Sequence, residues 1–339
     1  MDQLIFGIET SCDETAAAVY ADPGGIRSSE LFSQIDLHQV FGGVVPEIAS
    51  RSHLEKIRPI IEQALQKAHC KLEDITIVAV TNKPGLPGSL LIGFCFAKAI
   101  AWVQQKKLIG VNHLEAHVFS PFLEYQIPFP HICLAASGGH TSLYLVEDFG
   151  KYQCIGHTLD DAAGEAFDKI AQLINLPYPG GPAIEKLAAS VDFKDFFGYP
   201  RNPSQHSNFS FSGLKTAVLY DLIKKDAYDM AQKIFLLAKN EQLKKEVASS
   251  LLVCIGDIFV DRLHYAIRQY PNVKALTFVG GVACNKYLRK RVTEVGSFYN
   301  LPLFIPSPCY CGDNAAMIAF VGSYKAKKEE FADLSLDIM

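Results

Sequence analysis

One order of elements is written twice along this chain, and that doubling limits the fold more than any other feature. The first copy opens on an apolar strand signal, Leu4 to Glu9. A polar turn follows, Thr10-Ser11-Cys12-Asp13-Glu14-Thr15, and then a second strand signal, Ala16 to Ala21. A helical run from Ser52 to Ala68 repeats Leu54, Ile57, Ile60, Ile61 and Leu65 at helical spacing. It leads to a strand signal, Ile75 to Val80, a loop, Lys83-Pro84-Gly85-Leu86-Pro87-Gly88, and a helix, Ser89 to Gln104. The second copy begins with a strand from His131 to Ala136, a turn, Ser137-Gly138-Gly139-His140-Thr141, and a strand from Ser142 to Val146. It continues with a helical run, Val247 to Arg268, a strand, Val273 to Val279, the loop Gly280-Gly281-Val282-Ala283-Cys284-Asn285 and a basic helix, Lys286 to Glu294.

Two copies of hairpin, helix, strand, glycine loop and helix predict an α/β fold of two similar lobes with a cleft between them. The expected division is residues 1–130 for the first lobe, completed by a C-terminal helix at about 313–330, and 131–312 for the second, with an insert at about 148–246. A length of 339 residues agrees with about two domains. Sites in such sheets form beyond the carboxyl ends of the strands, where glycines let backbone approach a ligand and helix N-termini favour phosphate.

Hydrophobic residues make up 49% of the chain and charged residues 20%, enough for large cores and against disorder. The apolar runs are too short or too interrupted to span a bilayer, so no membrane is expected. The start, Met1-Asp2-Gln3-Leu4, lacks a basic leader region. Nine cysteines, an odd number without CxxC pairs, favour reduced thiols and a cytoplasmic protein. A net charge of −4 argues against general adhesion to nucleic acid, so any RNA contact needs a local patch. Lys286, Arg289, Lys290 and Arg291 form the densest one, with Lys106 and Lys107 a second.

His113 and His117 stand four apart in His113-Leu114-Glu115-Ala116-His117. If a helix starts at Asn112, both imidazoles share one face, as two ligands of one ion must. Two ordinary helix histidines fit the spacing equally. A zinc peptidase places Glu directly after the first His, and here Leu114 stands there. Near the far end, Asp313 in Gly312-Asp313-Asn314-Ala315-Ala316-Met317 reads either as a helix N-cap or as a third ligand. Asp161, Glu165 and Asp168 fall at i, i+4 and i+7 and so line one helix face, either as carboxylates for a metal, ribose hydroxyls or a proton in transit or as a solvated acidic face near a helix N-terminus. The polar stretch Arg201 to Ser212, with Asn202, Gln205, His206 and Asn208, leads into Lys215, a lone cation.

Taken together, several strings resemble one family. They are Gly7 to Thr15, Gly43 to Arg51, the His113–His117 string, Ser137 to Thr141, Asp160 to Lys169, Ser210 to Lys215, Gly280 to Ala283 and Asp313 to Met317. Over nearly the whole chain it is similar to the bacterial TsaD family of tRNA N6-adenosine threonylcarbamoyltransferases, formerly labelled glycoproteases (Gcp, YgjD). The resemblance implies an actin-like, sugar-kinase-like and Hsp70-like (ASKHA) fold, which is itself a duplicated two-lobed fold. It implies transfer of threonylcarbamoyl from threonylcarbamoyl-AMP to N6 of adenosine 37 in tRNAs that read codons starting with A, with release of AMP. His113, His117 and Asp313 match the family's ligands for one divalent metal, Fe2+ or Zn2+. Ala135, Ala136, Ser137, Gly138, Gly139, Asp168, Gly181, Glu185 and Asn285 match positions that hold the adenylate. Asp13 matches an acid near the reaction centre. Implied partners are tRNA, a smaller TsaB-like paralogue forming a heterodimer, and a TsaE-like ATPase. Three positions depart from the family: Ala116 stands for a usual Gly, Gly312 for a usual Thr, and Asn82-Lys83 for a usual Arg-Gly.

Overall fold

The computed structural model describes residues 3–201, 206–232, 234–236 and 241–338; Asn202 and Gln205 of the polar stretch lie outside the described residues. The chain divides into two compact units, Met1–Gln126 with Pro306–Met339, and Ile127–Ile305.

In the first unit the order is β1 (Gln3–Glu9), β2 (Glu14–Asp22), β3 (Gly25–Ser33), α1 (Ile35–Gln39), α2 (Pro46–Lys67), β4 (Ile77–Lys83), α3 (Pro87–Val103), β5 (Lys107–Asn112) and α4 (His113–Phe119). The second unit runs β6 (His131–Ala136), β7 (Thr141–Asp148), β8 (Lys151–His157), α5 (Ala163–Leu173), α6 (Gly180–Ala189), α7 (Ser212–Lys224), the short pair β9 (Tyr228–Asp229) and β10 (Ile234–Phe235), α8 (Glu241–Gln269), β11 (Ala275–Val279), α9 (Lys286–Phe298) and β12 (Leu303–Phe304). The chain then returns to the first unit with α10 (Pro308–Cys311) and α11 (Ala315–Lys327).

The doubling is complete at the level of sheet topology. One five-stranded sheet has the order β3-β2-β1-β4-β5 and the other β12-β11-β6-β7-β8. In each, the first three strands form an antiparallel meander, and the fourth and fifth pair in parallel, starting beside the first. The third strand of each sheet was not expected. Both are edge strands with mostly solvated side chains, so their sequences, Gly25–Ser33 and Lys151–His157, lack the apolar run of the inner strands. Because β8 belongs to the repeated sheet, the extra segment of the second unit starts beyond His157 rather than at about 148.

In the first unit, Phe6, Ile8, Val19, Val78 and Val80 of the sheet bury against Ile57, Ile60 and Ile61 of α2 and Phe94 and Ala97 of α3. Each such side chain contributes about 1.5–3 kcal/mol. On its other face the sheet carries α11, which approaches unusually closely. A Cβ on Gly7 would lie 2.4 Å from the Ala315 carbonyl, and one on Gly322 would lie 2.5 Å from Ala79 Cβ. Small residues on both sides, Ala16, Ala18, Ala315 and Ala316, complete that contact. The N-terminus of α11 is therefore pressed against β1, which fixes the position of Asp313 just before it. In the second unit, Phe259 of α8 meets Phe278 of β11 edge to face at 6.0 Å and packs with Phe209 and Phe211.

Candidate metal centre and the glycine turns

Helix α4 starts where the spacing of the histidines requires. Asn112 is its N-cap, its side chain accepting from Leu114 N at 2.9 Å and Glu115 N at 3.1 Å. His113 and His117 consequently stand one turn apart, with ring centroids 4.6 Å apart and planes crossing at 88°. Asp313, 196 positions after His117, places Oδ1 3.0 Å from His117 Nε2 and 3.4 Å from His113 Nε2. Asp313 is not the cap of α11; Asn314 is, accepting from Met317 N at 2.9 Å, so the Asp313 carboxylate is left for the imidazoles.

One ligand atom from each of the three residues lies within 4.8 Å of the others. A tetrahedral ion with bonds of about 2.1 Å separates its ligand atoms by about 3.4 Å, so two imidazole nitrogens and a carboxylate oxygen at these distances fit a divalent cation. His113 is oriented from behind, because Nδ1 lies 3.1 Å from Glu9 Oε2 and 3.2 Å from Ser11 Oγ. Ligating histidines characteristically have such a carboxylate behind them; it sets the tautomer and leaves Nε2 free to bind. The Glu9 carboxylate is itself fixed by Ser11 N and Thr81 Oγ1, each at 2.5 Å. Among the described residues His117 has no equivalent support: its Nδ1 is buried without a hydrogen-bond partner, and Asp313 orients the ring from Nε2.

The charges are mutually dependent. Burial would raise the Asp313 and Glu9 carboxyls, but the His113 imidazole beside both holds each below the ordinary carboxylate range. Burial would lower His113, but the Asp313 and Glu9 charges and hydrogen bonds carry it well above the ordinary histidine range. Two carboxylates and two imidazoles thus converge in one buried place, an arrangement that favours a cation there.

Asp13 lies in the β1–β2 turn and is buried, its carbonyl accepting from Gln34 N at 3.0 Å. The carboxyl of Glu14 beside it is pushed well up, first by burial and then by the charges of Asp13 and Asp313. Three elements hold this turn. His53 of α2 sits 3.0 Å from the Cys12 carbonyl and 2.8 Å from Thr15 Oγ1, Ser89 Oγ donates to the same carbonyl at 3.2 Å, and Leu86 N donates to Ser11 O at 2.8 Å.

The expected adenylate residues all lie in the second unit. The turn Ser137–His140 is closed by Ser137 N donating to His140 O at 2.8 Å, and α5 begins against it, with Gly164 N on Ser137 O and Glu165 N on Gly138 O. Ala135 and Ala136 end β6 beneath the turn, and Gly280, at φ 90°, crosses so near that a Cβ there would lie 2.3 Å from the Ala136 carbonyl. Around Gly138 and Gly139, by contrast, a Cβ would meet nothing within 4 Å. Asp168 accepts from Gly180 N at 2.6 Å, tying α5 to the start of α6, where Gly181 lies. Glu185 accepts from Lys286 N at 2.6 Å and Tyr287 N at 3.1 Å, and Asn285 caps α9 through Leu288 N at 2.9 Å.

The acidic face expected from Asp161, Glu165 and Asp168 does not form. Asp161 precedes α5, and Lys169 binds it at 2.7 Å and Glu165 at 2.8 Å, while Asp168 serves Gly180. The basic cluster is also partly spent: Arg291 pairs with Asp257 at 2.8 Å and Arg289 donates to the Ala283 carbonyl, leaving Lys286 and Lys290 as its exposed members. Among the described residues, no helix is long and apolar enough to cross a membrane.

Comparison with known proteins identifies the family. The family model described as TsaD, tRNA N6-adenosine threonylcarbamoyltransferase, matches residues 25–320. A protein of that name from Geotalea uraniireducens is 45% identical over 337 residues, covering 99% of this chain and 95% of the relative. One from Brachyspira hyodysenteriae is 44% identical over 338 residues, covering 98% and 94%. The chain belongs to the TsaD family. Among solved structures, component A of the (R)-2-hydroxyglutaryl-CoA dehydratase of Acidaminococcus fermentans superposes with a TM-score of 0.56 at 16% identity, covering 96% of this chain and 99% of that one. A ROK hexokinase from Thermus thermophilus superposes at 0.50 with 13% identity, covering 96% and 100%. At such identities these share the fold alone, the ASKHA class.

Membership in TsaD makes the chain a tRNA-modifying transferase. Its three departures from the TsaD pattern leave the His113–His117–Asp313 cluster in place. Ala116 is buried inside α4, Gly312 has open space around it, and Asn82 donates to the Asp337 carbonyl at 3.2 Å. Two residues that hold these side chains were not evident in the sequence: Glu9 behind His113, visible only as an acid ending an apolar strand, and His53 against the β1–β2 turn, visible only as a histidine on the apolar stripe of α2 with Ile57 and Ile60.

Proposed function

We propose that this protein transfers the threonylcarbamoyl group from threonylcarbamoyl-AMP to N6 of adenosine 37 in tRNAs reading codons that start with A. The observation that carries the reading is the convergence of His113, His117 and Asp313 in a member of the TsaD family. When bound there, a divalent ion (Fe2+ or Zn2+) supplies Lewis-acid polarisation of the donor.

The exocyclic amine of adenine is a weak nucleophile, since its lone pair is delocalised into the ring. The donor is a mixed anhydride whose leaving group is already good. The work left to the protein is positioning and removal of one proton. In this reading, the N6–carbonyl bond forms as the carbonyl–phosphate oxygen bond breaks, AMP departs with that electron pair, and Asp13 accepts the amine proton. The open backbone at Ser137, Gly138 and Gly139, with Ala135 and Ala136 beneath it, suits a phosphate approached by amides. Asp168, Gly181, Glu185 and Asn285 complete the adenylate site, their present hydrogen bonds fixing the starts of α6 and α9 around it.

A tRNA substrate supports a cytoplasmic site of action. With a net charge of −4 and only part of its basic cluster exposed, the chain shares RNA binding with partners, a TsaB-like paralogue and a TsaE-like ATPase. The test is mass spectrometry of tRNA nucleosides after incubation with threonylcarbamoyl-AMP, with and without those partners. Appearance of N6-threonylcarbamoyladenosine at position 37 supports the reading; its absence in the complete mixture refutes it.

A further inference from the structure

The two segments that carry the metal-binding side chains, 113–124 and 307–325, are joined by two carboxylate links, one on each side of Asp313 in the sequence. Lys325 Nζ of α11 lies 3.1 Å from Glu115 Oε2 of α4 and 3.4 Å from the Gly110 carbonyl of β5. Glu124, just past α4, accepts from Ser307 N at 2.6 Å and Ser307 Oγ at 2.5 Å, ahead of α10. We propose that Glu115–Lys325 and Glu124–Ser307 form a positioning frame that sets the reach of Asp313 to the two imidazoles, so that these four residues tune cation affinity without binding the cation. The proposal rests on the metal reading above.

Three observations favour this role over plain fold stability. Glu115 is 8% exposed, and a carboxylate so buried needs a charged partner; Lys325 supplies it from the helix that follows Asp313. An exposed pair such as Arg58–Glu62, by contrast, does little. Second, the packing of α11 on β1 fixes the start of that helix, but Asp313 itself lies between α10 and α11, outside any strand, so no sheet hydrogen bond sets its final reach to α4. Third, among the described residues His117 Nδ1 has no hydrogen-bond partner, so a shift of Asp313 would remove the hydrogen bond that orients that ring from Nε2. Glu115 also stands between the histidines in sequence, one position beyond the place of a zinc peptidase's base, and its carboxylate is already held by Lys325.

The test uses the full chain stripped of metal and titrated with Co2+, whose visible absorption reports coordination geometry. Glu115→Gln, Lys325→Met and Glu124→Ala are each expected to bind Co2+ about 10-fold more weakly, the lower end of the loss when a group hydrogen-bonded to a ligand is removed, with an altered spectrum. Lys325→Arg, which keeps the charge, is expected to retain affinity. Unchanged affinity and spectrum in the three variants, with wild type binding and His117→Ala not binding, overturns the frame while leaving the metal reading intact. Wild-type protein that binds no Co2+ overturns both. If Glu115→Gln fails to fold, Glu124→Ala at the more exposed link decides alone.

Discussion

The Glu9 carboxylate lies 3.1 Å from His113 Nδ1, behind the face of the ring that meets Asp313. It is fully buried and also held by Ser11 N and Thr81 Oγ1. Glu9→Gln keeps the shape but removes the charge that fixes the His113 tautomer. Metal content and affinity are expected to drop by about 10–100-fold, measured by metal analysis after dialysis against a graded chelator. Full retention of metal in a folded Glu9→Gln protein would show that His113 is positioned by other means.

Asp13 separates from the metal ligands in the opposite way. Asp13→Asn keeps the turn, because the hydrogen bond to Gln34 N uses the Asp13 carbonyl rather than the side chain. Turnover is expected to fall by about 10²–10⁴-fold, the range for loss of a general base, with metal content unchanged. Single-turnover assays and metal analysis on the same sample check both halves. Wild-type turnover removes Asp13 from the reaction.

The inner strands and the glycine turns were legible because an apolar run bounded by Gly or polar residues has few alternatives. Edge strands β3 and β8 were not, because their solvated side chains leave no periodic signal. That the two histidines share a face was legible from spacing, since four residues on a helix fix the geometry, but spacing did not separate two ligands from two ordinary helix histidines. Asp313 could be tied to it only through the family resemblance, because nothing local distinguishes a ligand from a helix cap. Glu9 and Glu115 show the limit: an acid buried behind a ligand is identified by what lies against it, and those partners, His113 and Lys325, are 104 and 210 positions away.

Gly164 tests whether the close start of α5 on the Ser137 turn matters. A Cβ there would lie 2.5 Å from the Ser137 carbonyl and 2.7 Å from Gly138 Cα, both backbone. Gly164→Ala is expected to cost about 1–3 kcal/mol of stability through overpacking and to displace the turn. Thermal unfolding measures the first effect. AMP or donor binding by calorimetry measures the second, expected to weaken while Co2+ binding to the first unit stays unchanged. Unaltered nucleotide affinity in Gly164→Ala would take the Ser137 turn out of the adenylate site.

His131, the first residue of β6, links stability to pH. Burial lowers it from an ordinary value of 6.5 to about 4, against a smaller upward pull from the Pro128 backbone. It stacks on Phe129 at 5.5 Å and is fully enclosed. Because the folded state resists protonation, both states are neutral above pH about 6.5 and His131 adds no pH dependence there. Between about 6.5 and 4 the unfolded chain takes up a proton that the folded chain refuses, and stability falls by about 1.4 kcal/mol per pH unit. The total reaches about 3 kcal/mol at pH 4, on top of any carboxylate contribution. Urea unfolding of metal-free protein at pH 7 and pH 5 measures the slope, and His131→Phe, which cannot titrate, is expected to flatten it by about 1 kcal/mol per pH unit. An identical slope in His131→Phe and wild type would mean that the buried imidazole accepts its proton without opening β6.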